Sequence, residues 1–161
     1  LDWDDASAFL SADLKAPVFS FHIHDGDFWM YVLYVNGEVA DRFNPIPDYW
    51  EEDRGEEAFS NWKGNPDVVA QYVKSVKRSA IANYLVRWDH DAEEERKAYP
   101  GDEFGCEDWQ LLDFLRKLEL PYPFDDDGEA TGKVFRLWTS GLPLPTVSAT
   151  IGKQKPWWKF W

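Results

Sequence analysis

The chain has 161 residues and a mass of 18.8 kDa, a length that suits one domain with a core of its own. Its 17 Lys and Arg residues are outnumbered by 30 Asp and Glu residues, and the formal net charge of −13 disfavours binding to nucleic-acid phosphates. A single Cys excludes a disulfide framework and a multi-cysteine zinc site, and no apolar run approaches the length of a transmembrane helix. We therefore expect a cytoplasmic protein.

The negative charge is unevenly distributed along the sequence. Residues 131–161 contain five basic residues and no acidic one, so residues 1–130 carry a formal charge of −18. We expect one acidic domain over residues 1–152 and a basic, Trp-rich tail over residues 153–161. Two interpretations of this asymmetry stay open. Either the basic C-terminal part packs against the acidic body of its own chain, or the acidic body attracts a basic partner through complementary charge.

The first third of the chain predicts a helix followed by an antiparallel meander. Residues 4–14 place apolar side chains near helical spacing, and Ala16-Pro17 ends this helix. Three segments rich in β-branched and aromatic residues follow: residues 18–24, 28–35 and 38–43. Asn36-Gly37 is typical of a tight hairpin turn. The middle strand is apolar at odd and even positions, so we expect it to be central and covered on both faces.

The remaining sequence predicts mostly helices and loops. Residues 44–48 indicate an irregular exit from the meander, and residues 49–62 indicate an acidic surface loop with aromatic anchors, with or without one helical turn. Asn65-Pro66 is typical of a helix N-cap followed by Pro at the first helical position. Two further helices are predicted over residues 77–88 and 107–118, and a later strand over residues 133–138. The expected fold class is α+β: an antiparallel meander plus a later strand, with three to four helices packed on the sheet.

The ten Trp residues fall into two groups. Those inside periodic elements are expected in the core: Trp3, Trp29, Trp88, Trp109 and Trp138. The others lie in the acidic loop or the tail, where they either fold back as lids on the core or bind a partner. Trp and Tyr dominate binding hot spots because they bury a large area with little loss of entropy.

The first functional hypothesis is a non-enzymatic, acidic protein-binding module with an immunity-like or regulatory role and no cofactor. Its partner is expected to be another protein with a basic surface, attracted by carboxylates and then held by buried rings. The residues expected to bind it are Tyr49, Trp50, Glu51, Glu52, Asp53, Glu56, Glu57 and Trp62.

A metal-dependent hydrolase is the first alternative. His22 and His24 point to the same face of a strand, Asp25 or Asp27 could add an oxygen ligand, and His90 could supply a third imidazole. This set is just sufficient for catalytic zinc. The competing interpretation is that Asp and Gly residues after His24 serve only to form a turn.

A peripheral membrane module is the second alternative. The C-terminal tail interleaves cationic and aromatic residues, a pattern that favours the lipid interface: Lys155, Trp157, Trp158, Lys159 and Trp161. The short segment gives modest affinity, and the acidic body would be repelled by anionic lipid. Packing of this tail on the body or on a second subunit is the competing interpretation.

The meander and the residues after it resemble a known group of sequences. Residues 28–37, followed by 41–44 and 47–50, are similar to uncharacterised bacterial proteins that share an LYxNGxxxDxFNxxPDYF-like signature. Trp50 stands where that signature has Phe, and residues 108–118 and 121–123 also resemble the group. The group has no established activity, so the resemblance implies no catalytic residue. Small acidic immunity proteins are an analogy for binding only.

Overall fold

The computed structural model describes residues 3–49, 55–88, 97–125 and 127–133. Three strands form one antiparallel sheet in the order β1-β2-β3, and five helices accompany them in the described part of the chain. The strands are β1 (Val18–His24), β2 (Phe28–Val35) and β3 (Glu38–Phe43). The helices are α1 (Trp3–Leu14), α2 (Gly55–Trp62), α3 (Pro66–Tyr72), α4 (Arg78–Ile81) and α5 (Gln110–Lys117). The predicted α+β class is confirmed, with five helices in place of three to four.

The meander forms as predicted because its turns are encoded locally. Asn36 and Gly37 both adopt positive φ, at 52° and 86°, which matches the twist that a two-residue hairpin needs. The β1–β2 register pairs His22 with Met30, and the β2–β3 register shifts once between Leu33 and Tyr34.

The central strand β2 is covered on both faces, as its sequence predicted. Trp29 and Tyr31 point to one face, where both rings pack against Phe114 of α5. Phe28 and Met30 point to the other face and are equally buried. Both the odd-numbered and the even-numbered side chains of β2 are therefore buried.

Helix α1 packs along β1 and β2 through small residues instead of the large apolar ones that periodicity suggested. Ala8 and Ser11 are buried, whereas Leu14 is 62% exposed. The Ser11 hydroxyl donates to the Ala8 carbonyl at 2.9 Å and accepts from the Gly37 N–H at 2.8 Å. Small side chains let the helix backbone approach the β2–β3 turn closely.

The segment between β3 and α5 differs from the prediction in two places. Residues 55–62 form the eight-residue helix α2, where the prediction was a loop with at most one helical turn, and acidic residues in its first turn complement the helix dipole. Only Arg78–Ile81 of the predicted helix over residues 77–88 is helical. Helix α3 begins as predicted, with the Asn65 side chain accepting a hydrogen bond from the Asp67 N–H at 3.0 Å. The predicted strand over residues 133–138 lies, apart from Lys133, outside the described residues.

The exposed fraction of each Trp side chain tests which of them were correctly predicted to lie in the core. Trp29 and Trp88 are buried, as predicted. For Trp3 and Trp109 the prediction is wrong, because 85% and 48% of their surfaces are exposed. Trp3 is the first residue of α1, and Trp109 precedes α5 at about 200° around the helix axis from the buried Leu111. Trp138 lies outside the described residues.

A buried carboxylate joins α5 to the segments before it. Asp113 accepts a hydrogen bond from the Tyr84 hydroxyl at 2.6 Å and a second one from the Tyr99 hydroxyl. The Lys117 ammonium lies 3.9 Å from the same carboxylate. Burial would raise the pKa of Asp113, but the two hydroxyl donors and the Lys117 charge outweigh burial and lower it.

Two further polar contacts tie β2 to its surroundings. The Trp29 indole N–H donates to Gln110 Oε1 at 3.3 Å, and the Gln110 amide nitrogen donates to Asp102 Oδ2 at 3.1 Å. The Tyr31 hydroxyl donates to Asp41 Oδ2 on β3 at 2.6 Å. These contacts supply hydrogen-bond partners to rings that lie fully in the core.

Candidate functional site

A strip of carboxylates runs from the β1–β2 turn to the first turn of α2. We call it the acidic strip, and its members are Asp25, Asp27, Asp48, Glu56 and Glu57. All except the half-buried Asp48 are exposed. The side chains come from three separate segments of the chain, and the contacts of Tyr49 and Arg87 show that these segments are neighbours.

Tyr49 connects the loop after β3 to the β1–β2 turn. Its hydroxyl donates to Asp27 Oδ2 at 2.7 Å, and its ring packs against His24 and Phe28 with centroid separations of 5.2 Å each. The hydrogen bond to Asp27 is the main cause that raises the pKa of Tyr49, and burial and the nearby charges of Asp27 and Asp25 act in the same direction. The phenol therefore remains a protonated donor that fixes the Asp27 carboxylate.

Arg87 connects Asp48 to helix α2. Its guanidinium lies 2.6 Å from Asp48 and 3.8 Å from Glu56, and it also sits 6.0 Å from the Phe59 ring centroid. Among the ion pairs of the described residues, Arg87 is the one Lys or Arg bound to the acidic strip, and His24 also lies 3.6 Å from Asp25. The negative charge of the five carboxylates in the strip thus exceeds the positive charge paired with them.

Three rings, from the start of α5 and from the segment after it, contact one another in series; two are exposed and the third, Tyr122, is half-buried. We call Trp109, Tyr122 and Phe124 the ring cluster, with centroid separations of 6.3 Å and 6.1 Å along that series. Trp109 and Phe124 are 48% and 50% exposed. Asp108 precedes this cluster, and its pKa is raised mainly by burial, with the Asp27 charge acting in the same direction. Asp108, the residue before Trp109, therefore lies within electrostatic range of Asp27.

The structure brings together part of the predicted partner-binding set. Tyr49, Glu56 and Glu57 lie on the same side of the molecule, at or beside the contacts of Arg87 and Asp27. Trp62 is half-buried under the Arg42 guanidinium, which lies 4.8 Å from its ring centroid. The other predicted residues lie outside the described residues: Trp50, Glu51, Glu52 and Asp53.

The ring cluster and the carboxylates of the β1–β2 turn were not among the residues predicted to bind a partner. Trp109 was assigned to the core because residues 107–118 were treated as one helix, whereas α5 begins only at Gln110. Trp109 lies two residues before Leu111, which puts the two side chains on nearly opposite sides of a helix. This spacing is the sequence signal that could have placed Trp109 on the surface.

The predicted metal ligands are only partly brought together. The His22 and His24 rings are 6.3 Å apart, and His24 Nε2 lies 3.6 Å from Asp25 Oδ2. Burial and the neighbouring His24 lower the pKa of His22, against a smaller opposing effect of Asp25. Within the described part of the chain, no group of three or more His, Cys, Asp or Glu side chains is placed to hold a metal ion. His90 lies outside that part, so the zinc site stays a prediction.

A groove of about 650 Å³ lies between the N-terminal turns of α1 and strand β1. The described residues that line it come from the first two turns of α1 and from seven consecutive positions of β1 and its turn: Trp3, Asp4, Ser7, Phe19, Ser20, Phe21, His22, Ile23, His24 and Asp25. The groove therefore follows the length of β1 and reaches the acidic strip at Asp25.

The membrane alternative concerns residues that the structure leaves undescribed. Lys155, Trp157, Trp158, Lys159 and Trp161 all belong to that part of the chain. No helix among the described residues is both long enough and apolar enough to cross a bilayer. Comparison of the chain with protein-family models, with curated proteins and with solved structures found no match, so the resemblance to the bacterial group stays a prediction.

Proposed function

We propose that this protein is a non-enzymatic binding module that recognises a basic partner protein through the acidic strip and the ring cluster. The observation that carries the proposal is the excess of exposed carboxylates in the acidic strip, together with two exposed rings that follow Asp108 in the chain. Trp109 and Phe124 are about half exposed, and the Asp27 charge acts on Asp108 next to them. Aromatic rings with charged neighbours are the composition of a binding surface.

The strip and the rings would act at different stages of binding. Carboxylates on the rim attract a basic surface from a distance, so they increase the association rate and make it dependent on salt. Rings buried at the centre of an interface slow dissociation. The ordering of the Asp27 carboxylate by Tyr49 fits this division, because a fixed carboxylate loses less entropy when a cation binds it.

The proposal is tested by capture of the partner and by association kinetics. The full-length protein is immobilised and exposed to a lysate of its source cells, and a stoichiometric basic protein is expected to be retained. Association of the purified partner is then measured at two salt concentrations. A variant with Glu56→Gln and Glu57→Gln should associate several-fold more slowly at low salt, with a weaker salt dependence.

A matched control separates the strip from net charge alone. Asp13→Asn with Glu38→Gln removes the same number of exposed carboxylates away from the strip and should change association much less. Trp109→Ala should leave association nearly unchanged and accelerate dissociation. Failure to retain any stoichiometric protein, or equal effects of the two double variants, would refute the proposal.

A further inference from the structure

We infer that the ring cluster binds an arginine side chain of the basic partner protein, with the guanidinium stacked on the exposed rings. This site rests on the proposed function and adds the chemistry of the partner residue that anchors the complex. Carboxylates attract any cation, whereas the rings would select arginine among the cationic side chains of the partner.

Backbone contacts hold the three rings in place. Tyr122 and Phe124 lie on a short hairpin, in which Phe124 forms a β-bridge and the Thr131 hydroxyl donates to the Tyr122 carbonyl at 2.9 Å. Trp109 is the N-cap residue of α5, and its carbonyl accepts a hydrogen bond from the Leu112 N–H at 3.0 Å. A site that is ordered before binding loses less entropy when its ligand arrives.

Neighbouring rings of the cluster are inclined to each other rather than stacked. The planes of Trp109 and Tyr122 meet at 56°, and those of Tyr122 and Phe124 meet at 69°. About half of the surface of Trp109 and of Phe124 therefore remains open, at 48% and 50%. The face of an aromatic ring carries partial negative charge, so these open surfaces can attract a cation.

Other rings of the molecule already carry cations of the same chain. Three of them lie within 4.5–6.0 Å of a cationic group: Trp62 beside Arg42, Phe59 beside Arg87 and Tyr99 beside Lys117. Among the described residues, no such contact involves a ring of the cluster. A cation from a partner can therefore make at the ring cluster the contact that this chain makes internally elsewhere.

The two segments that carry the rings are rich in carboxylates. Residues 100–109 and 118–132 contain nine Asp and Glu residues and neither Lys nor Arg, so they outnumber the bordering cations Arg116, Lys117 and Lys133. Six of these carboxylates are exposed and take part in no ion pair among the described residues: Glu103, Glu107, Glu119, Asp125, Asp127 and Glu129. This charge favours a cationic occupant over a neutral or an anionic one.

Arginine fits this combination of rings and carboxylates better than lysine. Its guanidinium is planar and weakly hydrated, so one face can lie on a ring while the N–H groups at its edge reach an acceptor. The lysine ammonium is compact and strongly hydrated. Asp125, which follows Phe124 in the chain, is an oriented acceptor, because its Oδ1 accepts hydrogen bonds from the N–H groups of Asp127 and Glu129.

The test uses the full-length protein and short peptides in which Gly alternates with Arg, Lys or citrulline. The Arg and Lys peptides carry equal charge, and citrulline keeps the shape of arginine without its charge. In an NMR titration, the Arg peptide is expected to shift the indole N–H signal of Trp109 saturably, and the citrulline peptide is not. The Arg peptide should bind about fivefold more tightly than the Lys peptide.

Variants of the protein locate this preference for arginine. Fluorescence anisotropy of dye-labelled peptides measures the affinities. Trp109→Leu and Phe124→Leu keep an apolar side chain and remove a ring, so each should weaken binding of the Arg peptide about fivefold and change binding of the Lys peptide much less. Trp109→Phe keeps a ring and should retain most of the preference. Trp3→Leu removes an indole that is 85% exposed outside the cluster and should change neither affinity.

The contrary outcomes separate the arginine site from the proposed function. Equal affinities for the Arg and Lys peptides, or no saturable binding of the Arg peptide, would overturn the arginine site. A preference that survives both Leu variants, or that Trp3→Leu removes, would also overturn it, because the cation would then lie elsewhere. Capture of a basic partner would uphold the proposed function in either case. A preference that both Leu variants abolish, without capture of any partner, would support the site and count against the proposed function alone.

Discussion

Replacement of the buried carboxylate Asp113 tests how the second half of the chain is held together. Asp113→Ala removes the acceptor of the Tyr84 hydroxyl, 2.6 Å away, and Tyr84 is only 1% exposed. A hydrogen bond to a charged group contributes about 1.5–3 kcal/mol, and a buried hydroxyl without a partner is unfavourable in its own right. Tyr99 is half-buried and can turn its hydroxyl to water, so it adds less. We expect a loss of about 2–3 kcal/mol in the free energy of unfolding.

The double variant Asp113→Ala, Tyr84→Phe shows whether the lost free energy of unfolding comes from the hydrogen bond between these two residues. Tyr84→Phe alone should destabilise by about 1–2 kcal/mol, because Asp113 keeps Tyr99 and Lys117. The double variant no longer leaves the buried Tyr84 hydroxyl without an acceptor, so it should lose about 1–2 kcal/mol less than the sum of the single variants. Urea unfolding followed by tryptophan fluorescence measures all three values. Additivity within about 0.5 kcal/mol would refute the reasoning.

The same carboxylate predicts a pH dependence of known sign. The pKa of Asp113 is lowered in the native state, because the hydroxyl donors and Lys117 outweigh burial. A lowered pKa means that the stabilisation is present above the unfolded-state value of about 3.9 and is lost as pH falls through the native value. The difference in stability between wild type and Asp113→Ala should therefore narrow below about pH 4. A difference that stays constant well below pH 4 would contradict the assignment.

Two further predictions concern the backbone and the groove. Gly64 has φ +69° and a Cβ there would lie 3.1 Å from Leu85 Cδ1, so Gly64→Ala should lose about 1–3 kcal/mol more than Gly26→Ala, where φ is +85° and nothing lies within 4 Å. Equal losses in urea unfolding would contradict this. Because the pKa of His22 is lowered mainly by burial, native His22 binds fewer protons than unfolded His22, and stability should fall as pH drops below about 6.5. This decrease should be smaller in His22→Gln, and identical pH profiles would exclude the explanation.

The meander could be predicted because its signals are local. Asn36-Gly37 specifies the hairpin by backbone preference alone, and the Asn65-Pro66 pair specifies the start of α3 in the same way. Helical spacing was less informative. Residues 77–88 keep apolar periodicity, and Tyr84 and Trp88 are buried, yet the helix ends at Ile81. The Trp88 N–H instead donates to the Pro45 carbonyl, a long-range contact that no periodicity encodes.

The candidate site was harder to predict because it depends on tertiary contacts. Tyr49 was selected from the acidic loop and His24 from the metal motif, as members of two competing hypotheses. The structure places their rings 5.2 Å apart, with Asp27 bonded to Tyr49. Charge and aromatic content therefore selected single residues of this surface, whereas their grouping followed from how the loop after β3 returns to the β1–β2 turn.

The burial of β2 on both faces has a consequence for strand register. In a strand with one apolar face, a slip by one residue would expose that face, so hydrophobicity alone fixes the alignment. A slip of β2 would exchange one apolar set for another and meet little such resistance. The hydrogen bonds of Trp29 to Gln110 and of Tyr31 to Asp41 would be broken by the exchange. These two hydrogen bonds within an apolar strand thus select one register among several that would bury a similar apolar area.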